Sequence, residues 1–273
     1  MFNLEDQYLE IAIKASFKAA KEVMSIYEAG DFDVEMKSDH SPLTIADKTA
    51  HTIIKKELEK TGIPILSEEG KHLPYKERKH WDKLWIVDPI DGTKEFIKKS
   101  GEFTINIALI EQQKPVLGVV YAPALAVLYW GGQSGSFKLT EVQDFNEFEY
   151  RLDSRKKLPL THTNEAFTIA ASKSHLTNTT REFINQKKAS YSNVEIVSKG
   201  SSLKICMVAE GLVNCYPRFG TTMEWDTAAG HAVCVNADAE INDLNQIPLS
   251  YNKEDLRNTE FLCNSKNNYI VTN

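Results

Sequence analysis

The stretch Trp85-Ile86-Val87-Asp88-Pro89-Ile90-Asp91-Gly92-Thr93 decides how the chain is read. Leu84 to Val87 is a short apolar run rich in β-branched and aromatic residues, which predicts a buried strand. Pro89 has no N–H to give to a ladder, so the strand is expected to stop there. Gly92 supplies a turn, and Thr93 opens a short helix expected over 94–99. Asp88 and Asp91 then leave the strand end within one tight turn, with the Ile90 carbonyl freed between them. Oxygen ligands crowded this closely suit a hard cation such as Mg²⁺ or Ca²⁺. The N–H groups that begin the next helix suit a phosphate. Asp, Pro and Gly also make ordinary solvated turns, so the decision between turn and metal-plus-phosphate site rests on the rest of the chain.

Working outward, the 273 residues, 42% hydrophobic and 26% charged, are enough for a sizeable core in one large domain or two. The net charge of −6 argues against a nucleic-acid polymer as partner. A small anionic substrate is compatible with that charge only where cations offset the field. Cys206, Cys215, Cys234 and Cys263 form no C-x-x-C pair and sit among apolar neighbours, which reads as buried free thiols in a reducing compartment. No apolar leader or membrane-spanning run is expected.

On the N-terminal side, periodicity predicts an amphipathic helix over 4–28 and a second over 46–60 with Ala50, Ile53, Ile54 and Leu58 inward. Asp47 falls in the first turn of the second helix, where a dipole-stabilising acid is the ordinary role. A strand over 63–66 ends in Ser67-Glu68-Glu69-Gly70, and the charged residues 71–82 read as a loop. After the central stretch, strands over 104–111, 116–121, 125–130 and 136–140 predict an antiparallel meander with Gly131 and Gly132 as hairpin glycines. Residues 141–165 are polar and weakly periodic, and the domain boundary is expected there, dividing 1–155 from 156–273. Beyond it strands (167–171, 194–197, 212–216) alternate with helices (177–188, 201–210, 225–235), which predicts an α/β layer. The expected class is α/β, with an α+β N-terminal half.

Asp47, Glu68, Asp88, Asp91 and Asp226 thus all stand at element ends. Asp226 lies in Glu224-Trp225-Asp226-Thr227-Ala228-Ala229, a place where a plain helix cap is equally at home. No Walker, G-x-S-x-G or H-E-x-x-H pattern competes for the chemistry, although a glycosidase-type carboxylate pair stays open.

Glu68-Glu69, Asp88-Pro89-Ile90-Asp91-Gly92-Thr93 and Trp225-Asp226-Thr227-Ala228-Ala229-Gly230 resemble, in order and separation, the signatures of the Mg²⁺-dependent, lithium-sensitive inositol monophosphatase superfamily. The resemblance spans essentially the whole chain. Asp91-Gly92-Thr93-Lys94-Glu95-Phe96, Gly200-Ser201-Ser202-Leu203-Lys204 and Tyr216-Pro217-Arg218-Phe219-Gly220 are most similar to its CysQ-type 3′(2′),5′-bisphosphate nucleotidase branch. The resemblance implies a layered αβαβα sugar-phosphatase fold with the metal site at the junction of the two halves. It implies two or three Mg²⁺ ions held by Glu68, Asp88, the Ile90 carbonyl, Asp91 and Asp226. Asp47 and Thr93 would activate a metal-held water, Glu69 would assist through a second water, and Gly92 with Thr93 would receive the phosphate. The metal-site residues Glu68, Ile90, Asp91 and Asp226 would also border the substrate. The rest of the substrate would meet Lys173, Ser174, His175, Ser201, Ser202, Lys204 and Arg218, each of which also has an ordinary capping or surface role open to it. His231 reads as a packed histidine.

The implied activity is hydrolysis of adenosine 3′,5′-bisphosphate to AMP and phosphate, clearing a by-product of sulfate activation. An inositol or other sugar-phosphate phosphatase of the same fold and a catalytically silent nucleotide sensor are the alternatives. The expected location is cytoplasmic, with attachment to the cytoplasmic face of the inner membrane open, as is the choice between monomer and homodimer.

Overall fold

Helix α1 (Leu4–Ala29) runs one residue past its expected end, and Gly30 closes it in the left-handed region at φ +78. The computed structural model describes all of the chain except residues 1–3, 31, 33, 37–41, 72, 161–165, 172–176 and 267–273. Ala12, Ile13, Ala15, Phe17, Ala19, Ala20 and Val23 bury one broad face of α1. The short strands β1 (Glu35–Met36) and β2 (Pro42–Leu43) pair antiparallel ahead of α2 (Ile45–Leu58). Gly62, at φ +67, ends the 3-10 turn that follows.

Strands β3 (Ile65–Ser67), β4 (Lys83–Asp91), β5 (Thr104–Glu111), β6 (Lys114–Ala122), β7 (Val127–Gly132), β8 (Gly135–Thr140) and β9 (Lys156–Lys157) lie in that spatial order in one sheet. Only β3 and β4 pair in parallel; the remainder is the expected meander. Three expectations along this sheet need correction. Strand β4 does not stop at Pro89: it pairs with β5 through Asp88↔Asn106, slips, and resumes at Asp91↔Thr104. Pro89 and Ile90 occupy that slip, so the missing N–H breaks no ladder bond. Residues 71–82 contain helix α3 (Tyr75–Arg78), tied down because the buried Arg78 donates to Asn252 Oδ1 and the Glu254 carbonyl, each at 2.9 Å. The weakly periodic 141–165 carries α5 (Phe145–Arg151), whose Phe148 packs on Phe17 and Trp130. Between β4 and β5 lies the five-residue α4 (Thr93–Ile97), shorter than expected.

The second sheet has the order β11 (Val194–Ser198), β10 (Phe167–Ala171), β12 (Cys215–Arg218), β14 (Phe261–Ser265), β13 (Ala239–Asp243). Its first three strands are parallel, and β14 runs antiparallel to both of its neighbours, β12 and β13. Helix α6 (Asn178–Ser190) packs on its outer face, while α7 (Leu203–Glu210) and α8 (Glu224–Val235) fill the space between the two sheets. Helices α1 and α2 cover the far side of the first sheet. The layers therefore read α, β, α, β, α, in the mixed α/β class expected. Strand β12 begins three residues later than predicted, because Leu212 and Val213 still donate to the Met207 carbonyl at the end of α7. That delay puts Tyr216 and Arg218, two residues apart, on one strand.

Gly118 and Gly131 are what let α8 lie so close to the first sheet. A Cβ at Gly118 would stand 2.3 Å from the Ala229 carbonyl oxygen, and one at Gly131 2.7 Å from that of Ala232. Gly131 is thus a packing position inside β7 rather than a hairpin glycine. The free, buried thiols are as expected, and His231 is 3% exposed with Nδ1 2.8 Å from the Tyr251 hydroxyl.

Candidate active site

Strand ends from the first sheet and helix starts from the middle layer converge on one place. Because β3 and β4 are parallel, both strands end on the same side, and the Glu68 N–H donates to the Val87 carbonyl at 3.1 Å. Ser67, Glu68 and Glu69 therefore neighbour Asp88. Asp88 is buried, and its Oδ1 accepts from the Ile90 N–H at 3.1 Å, which ties the slipped turn to its own carboxylate. Burial first, then the charges of Glu68, Asp91 and Asp226, raise its pKa well above the usual carboxylate range.

Asp47 plays the ordinary capping part and a second one. Its Oδ2 accepts from the Thr44 N–H at 2.8 Å, completing a capping box at the start of α2. Its Oδ1 accepts from the Thr93 hydroxyl at 3.2 Å, across the gap between α2 and α4. The same hydroxyl lies 3.4 Å from the Ile90 carbonyl. One helical turn on, His51 Nδ1 lies 2.8 Å from Ser67 Oγ, so α2 reaches both strand ends.

The middle layer closes the site through Gly200-Ser201-Ser202. The helix expected from 201 starts at Leu203, leaving both serines in the preceding turn, with Ser201 at φ +50. Ser201 Oγ lies 2.8 Å from each of the carbonyls of Asp91 and Glu102 and donates its one proton between them. Gly92 has no alternative here: its φ is +93, and a Cβ would stand 2.1 Å from Ser201 Oγ. Ser202 approaches Asp91 Oδ2 with its N–H at 2.6 Å and its hydroxyl at 2.7 Å. Its Oγ also lies 2.9 Å from the Asp226 carbonyl and accepts from Asn106 Nδ2 at 2.9 Å. Asp226, in the first turn of α8, accepts from the Met223 N–H at 2.9 Å. Burial and then the Asp91 charge push its carboxyl upward, with Arg218 opposing.

A cavity of about 300 Å³ opens against this assembly, lined by Asp91, Gly92, Thr93, Ser201, Ser202, Lys204, Arg218 and Asp226 among others. Asp88 and Ile90 are buried and, like Asp47, Glu68 and Glu69, are not part of that lining. Lys173, Ser174 and His175 lie outside the described residues. Lys204 is neither solvated nor a surface cation: it is 6% exposed, donates to the Lys199 and Ser201 carbonyls at 3.0 and 2.8 Å, and sits over the Tyr216 ring. Burial lowers its pKa to about 8, with Asp91 pulling the other way. Arg218 Nη2 donates to the Thr221 carbonyl at 3.2 Å, while its buried Nε finds no partner among the described residues.

The charges of Glu68 and Asp91 push up the carboxyls of the buried Asp88 and Asp226, and negative charge gathered this closely is an arrangement that a divalent cation stabilises. Among the described residues no three acidic, histidine or cysteine side chains already stand as a coordination set. Asp88, Asp91 and Asp226 each have one oxygen turned to the chain's own donors. The donor set, all oxygen and largely anionic, nevertheless fits a hard cation and no soft one. Sequence reading missed Asn106. The signal was a single amide in the apolar run Ile105-Asn106-Ile107-Ala108-Leu109, facing α7 and α8.

Comparisons with known proteins bear on the family and the fold. The sequence matches the model of the inositol monophosphatase family over residues 4–271. It is 43% identical over 246 residues to the 3′(2′),5′-bisphosphate nucleotidase CysQ of Salmonella typhimurium, covering 89% of this chain and 93% of that protein. The CysQ crystal structure from Bacteroides thetaiotaomicron superposes with a TM-score of 0.88 at 45% identity, covering 95% of this chain and 97% of that one. The Thermotoga maritima IMPase, at 23% identity and a TM-score of 0.73 over 95% of this chain and 92% of its own, shares the fold.

Proposed function

Because this chain belongs to the inositol monophosphatase family, we propose that it is a 3′(2′),5′-bisphosphate nucleotidase that converts adenosine 3′,5′-bisphosphate to AMP and phosphate. The observation that carries this reading is the 43% identity to a 3′(2′),5′-bisphosphate nucleotidase over nearly the whole of both chains. The cavity chemistry supports it: acidic residues for the reacting phosphate share the cavity with Arg218, a cation suited to a second one. A simple inositol monophosphate has no second phosphate to offer it.

We assign Glu68, Asp88, the Ile90 carbonyl, Asp91 and Asp226 to Mg²⁺. When bound, Mg²⁺ supplies Lewis-acid neutralisation of the phosphoryl and leaving oxygens. The chain's own residues account for the rest. Asp47 accepts the Thr93 proton, which leaves the Thr93 oxygen lone pairs turned to hold the attacking water and Asp47 as the final proton acceptor. Water attacks phosphorus and gives its proton by way of Thr93 to Asp47. The bond from phosphorus to the 3′-oxygen breaks, and that oxygen takes a proton from solvent to become the 3′-hydroxyl of AMP; no serine or cysteine nucleophile takes part. Glu69 assists from the end of β3 through a second water, and the Gly92 and Thr93 N–H groups bind the phosphate oxygens. Ser201 and Ser202 hold Asp91, while Lys204 fixes the loop that carries them. Lys173, Ser174 and His175 remain candidates for contact with the second phosphate or the adenosine. A silent nucleotide sensor would have no use for the Asp47–Thr93 pair.

The reading places the enzyme among those that clear the by-product of sulfuryl transfer. No described helix is long and apolar enough to cross a membrane, which is compatible with the cytoplasmic site proposed. Product analysis tests the function: incubation with adenosine 3′,5′-bisphosphate and Mg²⁺ should give 5′-AMP. Adenosine 3′-phosphate as the product, or no phosphate release, would overturn the reading.

A further inference from the structure

We propose that Asn106 is a positioning residue for Asp91, acting through the Ser202 hydroxyl to decide which Asp91 oxygen stays with the chain and which faces the cavity. The inference rests on the assignment of the acidic cluster to Mg²⁺ and goes beyond the residues that assignment names.

Asn106 sits on β5 opposite Asp88, at the last register position before the slip, and is 1% exposed. Its Nδ2 donates to Ser202 Oγ at 2.9 Å and approaches Asp91 Oδ2 at 3.4 Å. Ser202 Oγ has one proton and two acceptors within reach, Asp91 Oδ2 at 2.7 Å and the Asp226 carbonyl at 2.9 Å. With Asn106 donating into one lone pair, the hydroxyl proton is directed outward, and the carboxylate is the stronger of the two acceptors. Asp91 Oδ2 thereby collects the Ser202 N–H and the Ser202 hydroxyl, with the Asn106 amide further off at 3.4 Å, and Oδ1 is the oxygen left for the cavity.

The amide orientation follows from the same contacts. Turned over, Asn106 would set its carbonyl oxygen against the Asp91 carboxylate and give Ser202 an acceptor instead of a donor. As it stands, Asn106 Oδ1 is buried with no partner among the described residues. Two positions along β5, on the same strand face, Thr104 Oγ1 is buried and equally unpaired. An unpaired buried acceptor works against folding. A packing role would be filled better by leucine, so the amide's contribution lies in what its Nδ2 holds. Partners of this kind, one bond removed from a metal ligand, tune affinity about 10–100-fold.

The test is Mg²⁺ binding by titration calorimetry without nucleotide, beside the melting temperature of the metal-free protein. Asn106→Leu should melt at or above the wild-type temperature yet bind Mg²⁺ about ten-fold more weakly. Ser202→Ala should weaken Mg²⁺ similarly, and adding Asn106→Leu to it should cost nothing further, since the amide acts through that hydroxyl. If leucine prevents cooperative unfolding, Asn106→Ala carries the comparison. Equal Mg²⁺ affinity in wild type and variant overturns the proposal, as does fully additive loss in the double variant. A wild type that binds no Mg²⁺ overturns it together with the metal assignment. If wild type binds Mg²⁺, the variants lose affinity and adenosine 3′,5′-bisphosphate is not hydrolysed, the positioning role stands and the nucleotidase reading falls.

Discussion

Gly118→Ala tests whether the backbone contact between β6 and α8 sets the geometry of the site. The added Cβ would lie 2.3 Å from the Ala229 carbonyl oxygen and 2.8 Å from Ala232 Cβ, where ordinary contact begins near 3.4 Å. Sheet and helix must part by roughly 1 Å to restore a normal contact distance. Helix α8 cannot simply back away, because its other side packs on α7 and the second sheet. Overpacking of this kind costs about 2 kcal/mol, which lowers the melting temperature by roughly 4–8 °C. The chemistry should suffer more than the fold. Asp226 rides in the first turn of α8, with its carbonyl 2.9 Å from Ser202 Oγ. A displacement near 1 Å in a catalytic constellation costs on the order of 100-fold in rate. The assay is kcat at saturating Mg²⁺ and substrate, beside a thermal melt, with Gly132→Ala as control because nothing lies within 4 Å of its added Cβ. If Gly118→Ala keeps both melting temperature and kcat, the close approach does not set the site, and this reasoning is wrong.

Four further outcomes are expected. His231 is buried and its pKa lowered from 6.5 to about 4; the unfolded chain therefore protonates first, and stability is lost as pH falls from 6.5 towards 4. The loss is about 3 kcal/mol at the acid end, and denaturant melts of His231→Gln should lack that component of the slope. Asp91→Asn keeps an acceptor for Ser202, so it should melt near the wild-type temperature while Mg²⁺-dependent kcat drops at least about 100-fold; near-normal turnover would remove Asp91 from the site. Arg218→Gln should lower kcat/KM for adenosine 3′,5′-bisphosphate roughly 10–100-fold with little change for adenosine 3′-phosphate; equal losses would make the residue structural. Li⁺, close to Mg²⁺ in size with half its charge, should inhibit more deeply as substrate rises, while Na⁺ at equal ionic strength does not; matching inhibition by both would mean simple screening.

The acidic motifs were legible because each is local: strand, turn and helix start fall within nine residues, and Asp47 and Asp226 each open a helix. The α/β class was legible from the switch between period-2 and helical patterning, and the five-layer arrangement only from the family resemblance. Non-local contacts left fainter marks. Nothing in D-P-I-D says that the strand resumes after Pro89, since that depends on where β5 offers Thr104. Arg78 looked like one more surface charge until Asn252 and Glu254, far along the chain, closed over it. Lys204 was read as a candidate cation for substrate, but its two carbonyl partners come from the tight turn just before α7. Gly118 and Gly131 carry no local signal for the helix they admit.

The central claim, a cation-dependent site that selects a second phosphate, is tested most directly by one comparison of phosphate release. The substrates are adenosine 3′,5′-bisphosphate, inositol 1-phosphate and fructose 1,6-bisphosphate, each with Mg²⁺ and with a chelator. The account predicts kcat/KM for the nucleotide higher by on the order of 100-fold or more, and loss of all activity with the chelator. Equal or better hydrolysis of inositol 1-phosphate, or turnover that survives removal of divalent cations, would contradict it.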